Sequence, residues 1–389
     1  MILGQISYLD CIAFLVFLAP QLLIHVGIFE TAACGLQALP FLLLQLPFQF
    51  IKERCFTRRE ARSPFCQRAS PFQDIVIRCV RYAFAEIPAS IGKVFFSKGV
   101  ALPFFKFRML RHGYLRSSIF WCEVNKPDFQ GLWVISDETQ KPDIVIYYCH
   151  GGGFSMASSY FYLEFLMAWV SILKESGYKN PALFALEYTL VPEATYPTQV
   201  QEAARGYDYA LSIAEEPSRV CVGGDSAGAT LILSLLLSLG QKPGYREKLP
   251  GFGIMISPWS AIISPKNRDT PSDYLNANSL HQYGNQYVGS QASHDDPLVS
   301  PGRCKDLNWW RKASPTHGWY FLYGSEEVFG PETRDLISTL KKSGTEVGSH
   351  EEQGWIHAWP VVKLFLCDGQ EARQSGLRSI VLAIRERIN

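Results

Sequence analysis

Two long apolar stretches open the chain, and beyond about residue 140 short β-branched runs alternate with longer leucine-rich ones. Residues 11–29 carry no acidic or basic side chain apart from His25, and after Glu30 a second uncharged stretch covers 31–51. As helices both reach across a bilayer core of about 30 Å. Pro20 predicts a kink in the first, which membrane helices tolerate. Pro40 and Pro47 interrupt the second, which reads as a second span, a re-entrant segment or an interfacial helix. Lys52, Arg54, Arg58, Arg59, Arg62 and Arg68 come next, relieved by Glu53 and Glu60. Asp10 stands where a signal peptide would carry positive charge. The expectation is a membrane anchor over 1–51, against the competing reading of a soluble apolar cap helix. The basic cluster and the chain beyond it are then cytosolic, and the expected membrane is the endoplasmic reticulum.

Residues 52–116 read as a cap or entrance region. Asp74–Glu86 has amphipathic helical spacing, and Phe95, Phe96, Phe104, Phe105 and Phe107 form an aromatic-rich segment. Aromatics at such spacing are more often packing than a ligand box, although they could line an apolar entrance. From 117 to 389 a third region begins with paired strands near 119–122 and 131–135. Strands are predicted at 144–149, 182–187, 219–222, 253–256, 319–323 and 346–350. Helices fall between them at about 160–176, 198–214, 229–239 and 331–343, with a last one from about 368. The stretch from 257 to 315 reads as loop-rich. Alternation of this kind predicts an α/β domain with a mostly parallel sheet covered on both faces.

One turn organises the chemistry. Between the apolar strand at 219–222 and the apolar helix at 229–239 stands Gly223-Gly224-Asp225-Ser226-Ala227-Gly228. Gly224-x-Ser226-x-Gly228 has the spacing of a nucleophile elbow, a strained strand-to-helix turn that lifts a serine hydroxyl above the sheet. The helix start beyond it adds N–H groups and a positive dipole end. His150-Gly151-Gly152-Gly153 directly succeeds the strand at 144–149, where bare backbone N–H groups can approach a reacting carbonyl. A base would come from His357, just beyond the last strand, and an acid from Glu326 or Glu327 after the strand at 319–323. The order Ser226, Glu, His357 is that of α/β-hydrolases and not of chymotrypsin or subtilisin. His350, inside the last predicted strand, reads as structural.

Composition narrows the field. The 389 residues hold 37 Lys and Arg against 36 Asp and Glu, so no general attraction to nucleic acid is implied. Ten scattered cysteines form neither a CxxC pair nor a zinc-like cluster, so no metal and no cofactor are expected. No Asn-x-Ser/Thr sequon supports a lumenal placement.

These motifs, with Tyr188-x-Leu190-x-Pro192-Glu193 and Tyr196-Pro197, resemble over about residues 140–389 the hormone-sensitive-lipase-like family of α/β-hydrolases, which includes arylacetamide deacetylase and yeast steryl acetyl hydrolase. The resemblance implies an esterase with Ser226 as nucleophile and His357 as base. It implies backbone N–H donors at Gly151, Gly152 and Ala227, a loop shaped by His150 and Gly153, and an elbow held by Asp225. Family members carry Asp-x-Leu at the acid position where this chain reads Glu326-Glu327-Val328. Aligning on the preceding glycine gives Glu326, with Glu327 in reserve. Asp296-Pro297-Leu298 mimics the motif before the wrong strand and reads as a loop turn. The expected substrate is a lipophilic ester of a short acyl group. Transfer of the acyl group to an alcohol, and a catalytically dead small-molecule receptor on the same fold, are the alternatives.

Overall fold

The computed structural model describes residues 2–388. Its sheet has eight strands: β1 (Phe120–Lys126), β2 (Phe129–Ile135), β3 (Ile144–Cys149), β4 (Pro181–Glu187), β5 (Val220–Asp225), β6 (Phe252–Ile256), β7 (Trp319–Gly324) and β8 (Val347–Glu352). They lie in the order β1-β2-β4-β3-β5-β6-β7-β8. Only the β1–β2 and β2–β4 pairs are antiparallel. Every later pair is parallel, as the alternation with helices predicts. β3 and β5 are buried along their whole length, which is why they read as continuous apolar runs and not as alternating ones.

Helices preceding the sheet are α1 (Tyr8–His25), α2 (Ile28–Pro40), α3 (Leu46–Ile51), α4 (Pro64–Arg68), α5 (Pro71–Glu86), α6 (Ala89–Phe95) and α7 (Lys98–Arg111). π-turns at Phe41–Gln45 and Lys52–Phe56 run α2 and α3 into one rod from 28 to 56. The later helices are α8 (Ser159–Glu175), α9 (Thr198–Ala214), α10 (Ala227–Gly240), α11 (Ala277–Val288), α12 (Leu307–Ala313), α13 (Gly330–Lys342), α14 (Trp359–Leu366) and α15 (Gln370–Arg387). One face of the sheet packs on α9, α10 and α13, the other on α8 and α15.

The stretch 257–315 departs from the loop expected there, since it holds α11 and α12. Leu280, Tyr283 and Tyr287 give α11 a buried face, but Asn, Gln, Ser and Gly around them blunt the periodicity. Of the phenylalanines between 95 and 107, Phe95 and Phe104 pack on Phe14 of α1, at 4.5 and 5.0 Å between ring centroids, and Phe105 joins the core. Their main work is packing.

Candidate active site

The elbow forms where β5 meets α10. Ser226 has φ 52° and ψ −120°, a strained conformation for a residue with a side chain. Its N–H donates to the Ile256 carbonyl at 3.0 Å, which fixes the turn to the end of β6. A Cβ on Gly224 would stand 2.6 Å from the Gly228 carbonyl carbon, and one on Gly228 would stand 2.0 Å from the Cys149 oxygen. Both positions therefore require glycine, as the motif demands.

Asp225 anchors the glycine loop. Its buried carboxylate accepts hydrogen bonds from Tyr148 and Tyr162 at 2.7 Å each and from the Gly151 N–H at 2.8 Å. Burial lifts its pKa to about 6 despite these donors. The Gly151 N–H is thus occupied, which corrects its expected place as an oxyanion donor. Gly152 and Gly153 have φ of +109° and +62°, and a Cβ on Gly152 would meet the Met156 oxygen at 2.1 Å. Among the described hydrogen bonds, the N–H groups of Gly152, Gly153 and Ala227 have no partner. The unpartnered N–H groups lie one residue further along than expected because Asp225 reaches the first glycine. His150 stacks on Tyr188 at 4.4 Å, and its Nδ1 lies 2.7 Å from the Gly151 carbonyl. Burial pushes its pKa down to about 4, so a neutral ring holds the loop.

Glu327 and the loop of His357 converge on Ser257, the residue after β6. Its hydroxyl donates to Glu327 Oε2 at 2.6 Å and accepts the Ala358 N–H at 2.9 Å. Ser257 is itself held at φ 44°. Glu327 Oε2 also accepts the Gly324 N–H at 3.0 Å. Its other oxygen, Oε1, is buried without a partner, and so is Nδ1 of His357. An unpaired carboxylate oxygen and an unpaired imidazole nitrogen are complementary groups, carried here by the two segments that Ser257 joins. Glu326 is directed elsewhere. Its half-buried carboxylate meets the hydroxyls of Ser272 and Ser325 at 3.3 and 3.2 Å. Glu327, held in reserve at first, and not the favoured Glu326 occupies the buried position next to the His357 loop.

Asp273, which carries no sequence motif, ties the acid and base loops together. Its Oδ2 accepts the Val328 N–H at 2.9 Å and its Oδ1 accepts the His357 N–H at 3.1 Å. Ser257 was equally unmarked, although the abrupt Ser257-Pro258 end of a core strand was a usable signal. The His357 ring sits between Phe329 and Tyr274, at 5.2 and 5.7 Å. Asp296 makes the turn expected of it, accepting the Leu298 N–H at 2.8 Å. His350 lies in β8 beside Glu352, at 2.6 Å. No direct hydrogen bond joins Ser226 to His357 among the described contacts, and both are nearly closed off, at 6% and 3% exposure. A hollow of about 440 Å³ lies instead between α9 and the end of α10, lined in part by Tyr207 and Lys242, and does not touch the elbow. Among the described residues no three of His, Cys, Asp and Glu gather as metal ligands.

Burial raises Glu327 to about 8 and Asp273 to about 6, and lowers His357 to about 3. A carboxyl raised by folding contributes stability that is complete below its unfolded pKa and is lost as pH rises through the folded value. A histidine lowered by folding works the other way, and its contribution is complete once pH exceeds the ordinary value of 6.5. Above that point only the loss from Glu327 remains of the three. Melting temperature is therefore expected to fall between about pH 6.5 and pH 9, and Glu327→Gln to flatten that fall. Thermal unfolding across that pH range checks both.

A sequence profile of the α/β hydrolase fold matches residues 146–361, more than half of the chain. The chain belongs to the α/β-hydrolase family. Within it, the relatives are hormone-sensitive-lipase-like esterases and lipases. An acetyl-hydrolase of Streptomyces hygroscopicus is 30% identical over 232 residues, covering 58% of this chain and 71% of that protein. Neutral cholesterol ester hydrolase 1 of Pongo abelii is 29% identical over 170 residues, covering 40% of this chain and 39% of that one. The crystal structure of an esterase from the bacterial hormone-sensitive lipase family superposes with a TM-score of 0.65 at 22% identity. That superposition covers 82% of this chain and 99% of the other, and the likeness is one of fold.

Proposed function

We propose that this α/β-hydrolase cleaves lipophilic carboxylic esters of short acyl groups through an acyl-enzyme on Ser226. The observation that carries the reading is the convergence of Glu327 and the His357 loop on Ser257, one residue beyond the carbonyl that holds the Ser226 N–H. His357 takes the Ser226 hydroxyl proton as Oγ bonds to the ester carbonyl carbon. The carbonyl oxygen becomes an oxyanion held by the N–H groups of Gly152, Gly153 and Ala227. Glu327 orients the imidazole and stabilises its protonated form. The C–O bond to the alcohol then breaks as His357 returns the proton to the leaving oxygen. A water deprotonated by His357 attacks the acyl carbon, and the Oγ–C bond breaks with the proton restored to Ser226.

Preference for a lipophilic alcohol is supported by the two apolar N-terminal helices and by the esters named for relatives, cholesterol esters among them. The enzyme is placed by this reading on a membrane, that of the endoplasmic reticulum. A p-nitrophenyl ester series from acetate to decanoate, run with fluorophosphonate labelling, tests the activity. Serine labelling and a rate that declines with chain length are expected. A protein that neither labels nor turns over any ester would be a receptor. A labelled serine without hydrolysis would point to an alcohol as acyl acceptor.

A further inference from the structure

The two apolar N-terminal helices are long enough to cross a bilayer, but their packing argues against crossing. α1 buries Asp10, Phe14 and Leu18, one side chain per turn, against the cap. Asp10 is fully buried between Arg111 at 2.7 Å and Arg108 at 3.3 Å, and Arg108 continues to Glu164 of α8 at 2.9 Å. Contacts run α7 antiparallel along nearly the whole of α1. Arg111 meets Asp10, Phe104 meets Phe14, and Gly99 lies beside Gln21. Ile6 donates to the Phe365 carbonyl of α14 at 2.9 Å, and Arg373 of α15 binds the Leu3 carbonyl.

If α1 spanned the hydrocarbon, α7 would enter it too, with Lys98, Lys106 and Arg111. A charge held at the bilayer centre is strongly disfavoured. Lys98 pairs with Glu123 of β1 at 2.6 Å, so the open edge of the sheet would be drawn in as well. Lipid-exposed sheet edges do not occur in hydrocarbon, because their N–H and C=O groups would be unpaired.

The outer faces are nevertheless apolar. Leu9, Ile12, Val16 and Ile24 of α1 are more than half exposed, as are Leu43 and Phe48 of the second rod. That rod is also clamped to the cap: Phe41 stacks on Tyr82 of α5 at 4.2 Å, and Arg54 pairs with Asp74 at 2.8 Å. At its end, Lys52, Arg58 and Arg59 are exposed and make no ion pair among the described contacts. An apolar face beside free cations fits an anionic bilayer surface.

We infer that α1 and the rod from 28 to 56 lie in the plane of one leaflet as a monotopic seat for the cap. Substrate would then reach the site beside α5. Two residues after Tyr82, Phe84 packs on Tyr274 at 5.6 Å, which in turn packs on the His357 ring. This entry route rests on the esterase reading above; the membrane geometry does not.

The test adds full-length protein to preformed sealed vesicles containing phosphatidylserine, so that the catalytic domain lies outside. Flotation and labelling by a membrane-impermeant maleimide are read on His25→Cys and Glu30→Cys, which flank the turn between the helices, in a background with Cys11, Cys34, Cys55, Cys79 and Cys122 replaced by serine. Expected are flotation and equal labelling in intact and detergent-opened vesicles. Labelling only after detergent would put the turn in the lumen and overturn the inference. Failure to float, with a dimer in solution, would overturn it in favour of a second copy on the apolar face. Ser226→Ala protein should float and label alike, so loss of the esterase reading would leave this result standing.

Discussion

Ser226→Ala is expected to lower kcat/KM for p-nitrophenyl acetate by about five orders of magnitude, with KM little changed. The nucleophile is the one group whose bond to the acyl carbon defines the intermediate, and no neighbouring hydroxyl can replace it. Ser257, the nearest candidate by connectivity, has its hydroxyl committed to Glu327 and to the Ala358 N–H. Alanine keeps the backbone that the turn needs, including the N–H bond to Ile256. Circular dichroism and melting temperature should therefore match wild type, and fluorophosphonate labelling should vanish. A variant that folded normally and kept its rate would remove Ser226 from the mechanism.

Glu327→Gln is expected to lower kcat/KM by about three to four orders of magnitude, and Glu326→Gln to leave it nearly unchanged. Glutamine at 327 retains an oxygen for the Gly324 N–H but no longer carries the negative charge that stabilises an imidazolium. Its amide nitrogen also offers Nδ1 of His357 a donor where an acceptor is needed. Glu326 stands apart, on Ser272 and Ser325, so its loss touches neither His357 nor Ser257. Paired kinetics on the two variants decide between adjacent residues. The reverse outcome would return the acid role to Glu326.

The elbow was legible because its requirements are local. Backbone collisions at Gly224 and Gly228 leave a spaced signature within five residues, and the flanking strand and helix announce themselves by length and apolar content. The acid was not legible to the residue. Neighbouring glutamates at the end of β7 differ in the direction of their side chains, which is set where the Glu326 N–H binds the Trp355 carbonyl at 3.0 Å. Which N–H groups of the glycine loop stay unpartnered was illegible for a similar reason. Only a contact across 74 positions, from Asp225 to Gly151, reveals which N–H is spent. At the N-terminus hydropathy reported length faithfully but not partnership. Asp10, which counted against a signal peptide, is the charge that fastens α1 to Arg108 and Arg111.

Asp273 lies on the segment that leaves β6 and leads into α11, is bound through its carbonyl by Arg81 of cap helix α5, and holds the Val328 and His357 N–H groups with its one carboxylate. The cap and the two loops that carry proton transfer are thereby interlocked. A pull on α11 that withdrew Asp273 would free the acid loop and the base loop together, before either lost its own contacts. On the triad proposed above, activity would depend on the cap's seating as much as on the sheet's edge.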